Sequence, residues 1–502
     1  MTLPKGWAEA MLGELVEPRS GKAHPSSRPD ARFIGMEHIE AHTMRLLGTV
    51  PATEMKSAAN VFEAFDVLYG RLRSYLNKVY QPDFGGLCSG EFIALQESEA
   101  LLGAFLKYRL NAADFVSFAS HINTGDRPRV DWDQIKVFRL LLPPRSEQER
   151  IVDALDELLS DLDSGVEALM SAKAKLERYR ASVLKAAVEG ELTAEWRNTH
   201  PNTEPASVLL QGILKERRHK WEQEQLRKFA EQGKKPPANW KAKYKEPVAP
   251  DTANLPSLPD GWCWSFLGEC FEVHVGATPS RQEPRYWGGG IPWVASGEVQ
   301  FCTISSTRET ITELGLNNTS TQINPAGSVL LNMIGEGKTR GKAGILDIDA
   351  SNNQNCAAIW VPETPIPTKF LYYWLLFRYE ETRQLGSGNN QPAMNSEIVK
   401  GIPVPLAPLE ELEAVVELLE GQLSVLEYLF AEIERLEDSQ EALRQSVLRH
   451  AFSGSLVAQN PLDEPATELL KRIAAERAER ANKPKKTHTR KPAKRRKQLQ
   501  LA

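Results

Sequence analysis

Apolar residues recur at alternating three- and four-residue steps along two stretches of the chain, residues 147–188 and 411–452. In the first stretch they are Ile151, Leu155, Leu158, Leu162, Gly165, Leu169, Ala172, Leu176, Tyr179, Val183 and Ala186. In the second the seam positions are Val415, Leu419, Gln422, Leu426, Leu429, Ile433, Leu436, Gln440, Leu443, Val447 and His450, the polar residues among them weakening the pattern locally. That period, held over about five heptads, predicts two long helices paired along a coiled-coil seam. Two helices each packed on its own domain would also satisfy the pattern. Gly190 and Gly454 supply a stop after the last turn of each. The first helix, 42 residues over 147–188, would span about 63 Å. Proline-marked runs, Leu142-Pro-Pro144 and Val404-Pro-Leu-Ala-Pro408, precede glutamate-rich first turns, which is a helix-start pattern. Ahead of each lie about 140 residues of mixed strand and loop. Asp66-Val-Leu-Tyr69, Glu91-Phe-Ile-Ala-Leu95, Ser328-Val-Leu-Leu331 and Cys356-Ala-Ala-Ile-Trp-Val361 read as short buried strands bounded by Gly, Pro and Asn.

The two halves are copies. Leu3-Pro4-Lys5-Gly6-Trp7 returns as Leu258-Pro259-Asp260-Gly261-Trp262, and Leu12-Gly13-Glu14 as Leu267-Gly268-Glu269, both at a shift of 255. From about residue 126 to 192 the shift is 264. There Pro144 matches Pro408, Glu147 matches Glu411, and Arg180-Ala-Ser-Val-Leu184 matches Arg444-Gln-Ser-Val-Leu448. Gly190-Glu-Leu192 likewise matches Gly454-Ser-Leu456. Ordered matches across separate regions mean tandem duplication of a unit of about 260 residues. The predicted fold class is α+β: two homologous mixed α/β globular domains separated by two long antiparallel coiled-coil helices, a pseudo-twofold repeat. The predicted boundaries are a domain over 1–143, a spacer helix over 144–192, and a connecting helix with basic linker over 193–254. A second domain over 255–405, a spacer helix over 406–456, a C-terminal helix over 457–482 and a basic disordered tail over 483–502 complete the chain.

Composition narrows the class. A chain of 502 residues with 41% hydrophobic and 25% charged residues is neither disordered nor fibrous. The richest apolar run, Phe370–Phe377, is eight residues long, well short of a membrane span, and the first residues carry no apolar signal core. Cys88, Cys263, Cys270, Cys302 and Cys356 form no Cys-x-x-Cys pair, which argues against a disulfide framework or zinc finger and fits a reducing cytoplasm. The expectation is a soluble cytoplasmic protein with no membrane partner. Net charge is −5, yet residues 483–502 hold nine Lys/Arg and no acid, leaving 52 basic against 66 acidic residues before them, a net of −14. A second basic stretch, Lys215 to Lys245, has eleven Lys/Arg against four Glu and reads as a helix followed by a linker. Any nucleic-acid contact must therefore come from local patches.

Motifs for catalysis are weak. The Pro-Pro pairs, Pro143-Pro144 and Pro236-Pro237, lack the flanking Asn/Asp and aromatic residues of an adenine methyltransferase, and Gly335-Glu-Gly337 lacks the third glycine of a cofactor loop. Asn332-Met-Ile-Gly-Glu-Gly-Lys-Thr339 imitates a phosphate-binding loop but carries Asn332 where the first glycine belongs. Asp347-Ile-Asp349 offers two carboxylates that read more readily as a surface turn than as a metal site. The expectation is a chain with no catalytic, cofactor or metal site. Heads that have diverged more than their spacers suit a reader of two different half-sites on duplex DNA. An interaction scaffold whose duplicated heads bind something other than DNA is the alternative.

Several phrases resemble the specificity subunit of type I restriction–modification systems. They are the opening Leu-Pro-x-Gly-Trp, Gly341-Lys-Ala-Gly344 ahead of Asn353-Gln-Asn355, and Gly388-Asn-Asn-Gln-Pro-Ala-Met-Asn395. Ser146-Glu-Gln-Glu-Arg-Ile-Val152 and the two helix ends fit as well, whereas Gly125-Asp-Arg-Pro-Arg129 departs from the Gln-Pro phrase. The resemblance implies two target recognition domains that read a bipartite DNA site, with a gap fixed by the spacers. It implies no catalysis in this chain. Two modification subunits would supply S-adenosylmethionine and adenine methylation, and two restriction subunits ATP/Mg-driven translocation and cleavage. Arg suits guanine edges and Asn or Gln adenine edges. The DNA-facing candidates are accordingly Arg71, Arg73, Lys78, Arg127 and Arg129 in the first domain. In the second they are Lys338, Arg340, Lys342, Asn389, Asn390, Gln391 and Asn395. For each, a turn that braces the domain is the competing role. Tyr286-Trp-Gly-Gly-Gly-Ile-Pro-Trp293 reads more readily as core than as a stacking surface.

Overall fold

Both long helices form. The first runs Arg145–Val188 and the second Leu409–Ser453, each closed by a glycine in the left-handed region, Gly190 at φ 77° and Gly454 at φ 76°. The computed structural model describes residues 3–482 other than 124, 248–250, 254, 336–337 and 387–392. The basic tail thus lies outside the described residues. By contacts the chain divides into two units, Met1–Met170 with Glu434–Ala502, and Ser171–Ile433.

The first unit holds a five-stranded sheet in the order Lys22–Ala23, Ala59–Phe62, Gly86–Cys88, Arg32–Ile34, Val50–Pro51. A three-stranded sheet follows, with Val67–Gly70 between Val79–Tyr80 and Phe92–Leu95. The second unit repeats the plan. Its five strands run Glu272–Val275, Cys356–Trp360, Val329–Asn332, Ala343–Leu346, Cys302–Ile304, and its three-stranded sheet centres on Trp287–Val294. The four runs read as buried strands are strands here, and Val67–Gly70, Phe92–Leu95 and Val329–Asn332 are buried along their whole length. In each unit the opening strand pairs antiparallel with the strand just ahead of the long helix, Ala8 opposite Leu142 and Cys263 opposite Leu406. The prolines of the helix approach therefore sit in or beside a two-stranded ribbon, where a missing N–H is tolerated.

Each head is closed by the segment that follows the other copy's long helix. In the first unit a Cβ on Gly454 would lie 2.7 Å from Pro4, the Ala466 amide donates to the Gly6 carbonyl at 2.9 Å, and Arg477 donates to the Gly13 carbonyl at 3.0 Å. In the second unit a Cβ on Gly190 would lie 2.8 Å from Pro259, the Ala206 amide donates to Gly261 at 2.8 Å, and Arg217 donates to the carbonyls of Gly268 and, at 2.6 Å, Glu269. The two arginines cap the C-terminal carbonyls of matching short helices, Leu12–Leu15 and Leu267–Cys270. The helices that carry them, Ala466–Asn482 and Ala206–Glu231, start within Glu464-Pro-Ala-Thr467 and Glu204-Pro-Ala-Ser207, a further match between the copies.

A buried glutamate at the foot of each long helix ties the closure to the spacer. Glu147, 1% exposed, accepts from the Trp7 indole at 3.0 Å. Burial holds its carboxyl above the usual range, and the indole partly opposes that shift. The matching Glu411, fully buried, accepts from Thr193 at 2.6 Å and pairs with Arg197 at 2.5 Å.

Within the first unit the long helices run antiparallel. Asp163 pairs with Arg444, and a Cβ on Gly165 would lie 2.6 Å from the Gln440 amide nitrogen. In the second unit Tyr179 donates to Gln422 at 3.5 Å, and Leu176 packs on a core containing Leu423 and Leu426. Of the seam positions read from the spacing, Ile151, Leu155, Val415 and Leu419 are buried in the cores of their own heads, Leu426 and Ile433 are buried farther along, and Leu162, Leu169 and Leu176 are half-buried. Elsewhere the seam needs correction. Leu158, Leu429, Leu436 and Leu443 are 38 to 51% exposed. Leu159 takes the inward place on the first helix; Phe430, Glu437 and Arg444 take it on the second. The apolar letters favour 429/436/443 over Phe430, Glu437 and Arg444, and the fold turns the row that carries the charges inward instead. Arg444 of that row pairs with Asp163. No described helix is long and apolar enough to cross a membrane, and all five cysteines are free thiols.

Trp7→Phe should leave Glu147 buried without its donor and lower stability by about 1.5–3 kcal/mol, read as an earlier denaturant midpoint. Glu147→Gln in that background should recover part of the loss.

Candidate nucleic-acid interface

In the first head the strand Val67–Gly70 delivers the chain into a loop that the segment before the long helix completes. Leu72 bridges Arg129, the Arg73 amide donates to Pro128 at 2.7 Å, and the Val130 amide donates to Arg71 at 3.0 Å. These bonds bring Arg71, Arg73, Arg127 and Arg129 together. Their charges are not equally available. Arg71 pairs with Asp131 at 2.9 Å and Glu91 at 3.8 Å, and Arg129 pairs with Glu91 at 2.6 Å. Arg73 and Arg127 are exposed and form no ion pair among the described residues. Lys78 donates to the Met36 carbonyl at 2.7 Å, which braces the loop.

The second head delivers its loop from the matching strand, Val329–Asn332. Glycines shape this loop, Gly335 at φ 135° and Gly341 at φ 83°; a Cβ on Gly341 would lie 3.1 Å from the Arg383 amide nitrogen. Lys338 is exposed and its carbonyl accepts from the Tyr379 hydroxyl at 2.6 Å. Arg340 donates to the Arg383 carbonyl at 2.7 Å, and Lys342 to Gln300. Asn389, Asn390 and Gln391 lie outside the described residues. Asn395 caps the helix Ser396–Lys400, accepting from the Ile398 amide at 2.9 Å.

What sequence reasoning missed is the amide network behind this loop. Asn332 is fully buried and donates to the carbonyls of Ser296 and Val299 at 3.0 Å each. Asn352 donates to Cys356 at 2.8 Å, and Asn324 donates to Asn352 at 2.9 Å while accepting from the Trp360 indole at 2.9 Å. Asn332 thus ends a core strand, which explains its place where a phosphate loop would need glycine. The asparagines themselves were legible beside short apolar runs, as Asn332 is after Val329-Leu-Leu331, but their burial was not. Asp349 accepts from the Ala326 amide at 2.8 Å in a surface turn. Among the described residues no group of three or more His, Cys, Asp or Glu is placed to hold a metal. Trp293 is buried; Trp287 packs edge-on against it at 5.1 Å beneath the Arg281 guanidinium.

A family model described as the type I restriction modification DNA specificity domain matches residues 259–438. Over 493 residues the chain is 24% identical to the type I restriction enzyme EcoDI specificity subunit of Escherichia coli, covering 95% of this chain and 96% of that one. The crystal structure of the HsdS subunit from Thermoanaerobacter tengcongensis shares the fold at a TM-score of 0.53 and 18% identity, over 91% of this chain and 99% of that one. A chain from a structural study of complex assembly and conformational transition in the type I R-M system does so at 0.60 and 21%, over 91% and 100%. Duplicated heads, crosswise closure and long antiparallel helices thus meet a matching domain over residues 259–438 and a relative aligned over nearly the whole chain: this chain is similar to type I restriction enzyme specificity subunits.

Proposed function

We propose that this chain supplies DNA-sequence specificity to a type I restriction–modification complex, each head reading one half of a bipartite site while the paired helices set the gap between halves. The observation that carries the reading is that both heads deliver a cationic loop from the same end of the same core strand, Gly70 in one and Asn332 in the other. One fold with two loop sequences suits two half-sites. The loops offer Arg, Lys and Asn for groove edges and phosphates. On this reading the chain recognises and scaffolds and does no chemistry itself. S-adenosylmethionine belongs to two modification subunits and ATP with magnesium to two restriction subunits, and the assembly works in the cytoplasm.

Coexpressed with its modification subunits, the chain should direct adenine methylation to one split motif, detected by sequencing methylated DNA from hosts with and without the gene. No gene-dependent split motif would overturn the reading. A matched pair of seven-residue insertions, after Ala172 and near Ile433, adds about 10.5 Å of helix and preserves the heptad, so the gap should lengthen by about three base pairs while both half-sites stay unchanged. Glu91→Gln removes the anion shared by Arg71 and Arg129. It should strengthen non-specific duplex binding at low salt and steepen the log–log salt dependence by about 1, measured by fluorescence titration.

A further inference from the structure

The first head contains a loop whose backbone is costlier than its fold requires. Arg73 sits at φ 54° and Asn77 at φ 44°, bracketing the short turn Ser74–Leu76. Asparagine tolerates the left-handed region; arginine gains nothing there, and such a residue persists only where its surroundings enforce it. They do. The Ser74 hydroxyl donates to Ala119 at 3.1 Å, the Asn77 amide group donates to Asn111 at 3.3 Å, and the His42 amide donates to the carbonyls of Leu76 and Asn77 at 3.2 Å each. Ser74 and Asn77 are buried, at 2% and 3% exposure. The second head solves the same problem with Gly335 and Gly341. The first head therefore keeps a side chain at a position where glycine would be easier.

What this rigid turn presents is Tyr75, 46% exposed between two buried residues of the loop. Among the described residues its hydroxyl takes no hydrogen bond and its ring stacks on no other. Arg73 lies two residues before it, and Arg127 lies on the loop that the Arg73–Pro128 bond ties alongside. An exposed, unpartnered aromatic on a loop that carries Arg73 and is bonded to the segment carrying Arg127 matches duplex DNA, whose apolar sugar and base surfaces alternate with phosphates.

We infer that Tyr75 is a DNA-contacting residue of the first recognition head, packing its ring on a nucleotide of that half-site while Arg73 and Arg127 hold the adjoining phosphates. The inference rests on the function proposed above and names the contact within it. The strained turn sets the ring's position before DNA arrives, so the contact forms without ordering a loop.

The test uses the full chain assembled with its modification subunits and a duplex bearing the split motif that the wild-type complex methylates. Tyr75→Ala should weaken binding of that duplex about tenfold with an unchanged salt slope. Tyr75→Phe should bind close to wild type, because the ring makes the contact. Arg73→Gly and Arg127→Ala should each weaken binding and flatten the slope by about 1. Arg73→Gly should melt no lower than wild type, since glycine relieves the left-handed strain. A merely structural turn would instead lose stability and binding together. Tyr75→Ala binding within twofold of wild type, or Tyr75→Phe losing as much as Tyr75→Ala, overturns the inference and leaves the proposed function standing. A wild-type complex that methylates no split motif overturns both.

Discussion

The contact on which this architecture depends is a proline and an indole seated on a left-handed glycine. Gly454 and Gly190 end the long helices at positive φ, and in each case the space a Cβ would need is filled, by Pro4 and Trp7 or by Pro259 and Trp262. A side chain there would be strained by its backbone and blocked by its neighbours at once. Because Trp7 and Gly454 lie in different copies of the repeat, the first head cannot be completed until the second copy's long helix has been made. Local contacts assemble the sheets, but closure is the most non-local step, which makes it slow and cooperative.

The same closure decides which face of each long helix is apolar. Near its start the first helix is gripped by the head's core through Ile151, Val152, Leu155 and Leu159, a spacing that belongs to packing on a domain. Farther along it meets the second helix through Leu162 and Gly165, and the row changes accordingly. Asp163 and Arg444 sit where that change occurs, the arginine 8% exposed. A half-buried ion pair adds little net stability, but a register slip would separate its partners and leave the Arg444 charge buried alone. The pair specifies alignment more than it strengthens it. The exposed row Leu418, Val425, Leu429, Leu436 and Leu443 is the consequence.

Much of this was legible in the residues. Helix period, glycine stops, the four core strands and the duplication all follow from spacing and self-similarity, because those are local or repeated. That Leu-Pro-x-Gly-Trp and Gly-x-Leu recur was visible; that they meet, each across copies, was not, since a tandem repeat can close within a copy or between copies with the same sequence. The choice between adjacent heptad rows was invisible as well, since the apolar letters favour the row that the fold leaves exposed. Among the site residues, Arg71 and Arg73 look alike as letters, and only the fold shows that Glu91 and Asp131 compensate one while the other stands alone. Lys78 and Asn395 read as DNA-facing candidates, and the fold shows their side chains bonded to backbone groups nearby, the bracing role that competes with that reading.

That partial compensation has a physical logic. Phosphate attraction is independent of sequence, so every free cation on a recognition surface strengthens the wrong sites as much as the right one. A specificity protein does better with few free charges and well-placed directional or shape contacts, because discrimination is a difference between affinities. On the proposed function, a chain of net charge −5 in which two of the four clustered arginines, Arg71 and Arg129, are ion-paired, and whose loops are held by buried amides and hydroxyls, follows that principle. Rigid loops add to it. A loop already in its binding shape loses no conformational entropy on the correct sequence and cannot remodel to suit an incorrect one.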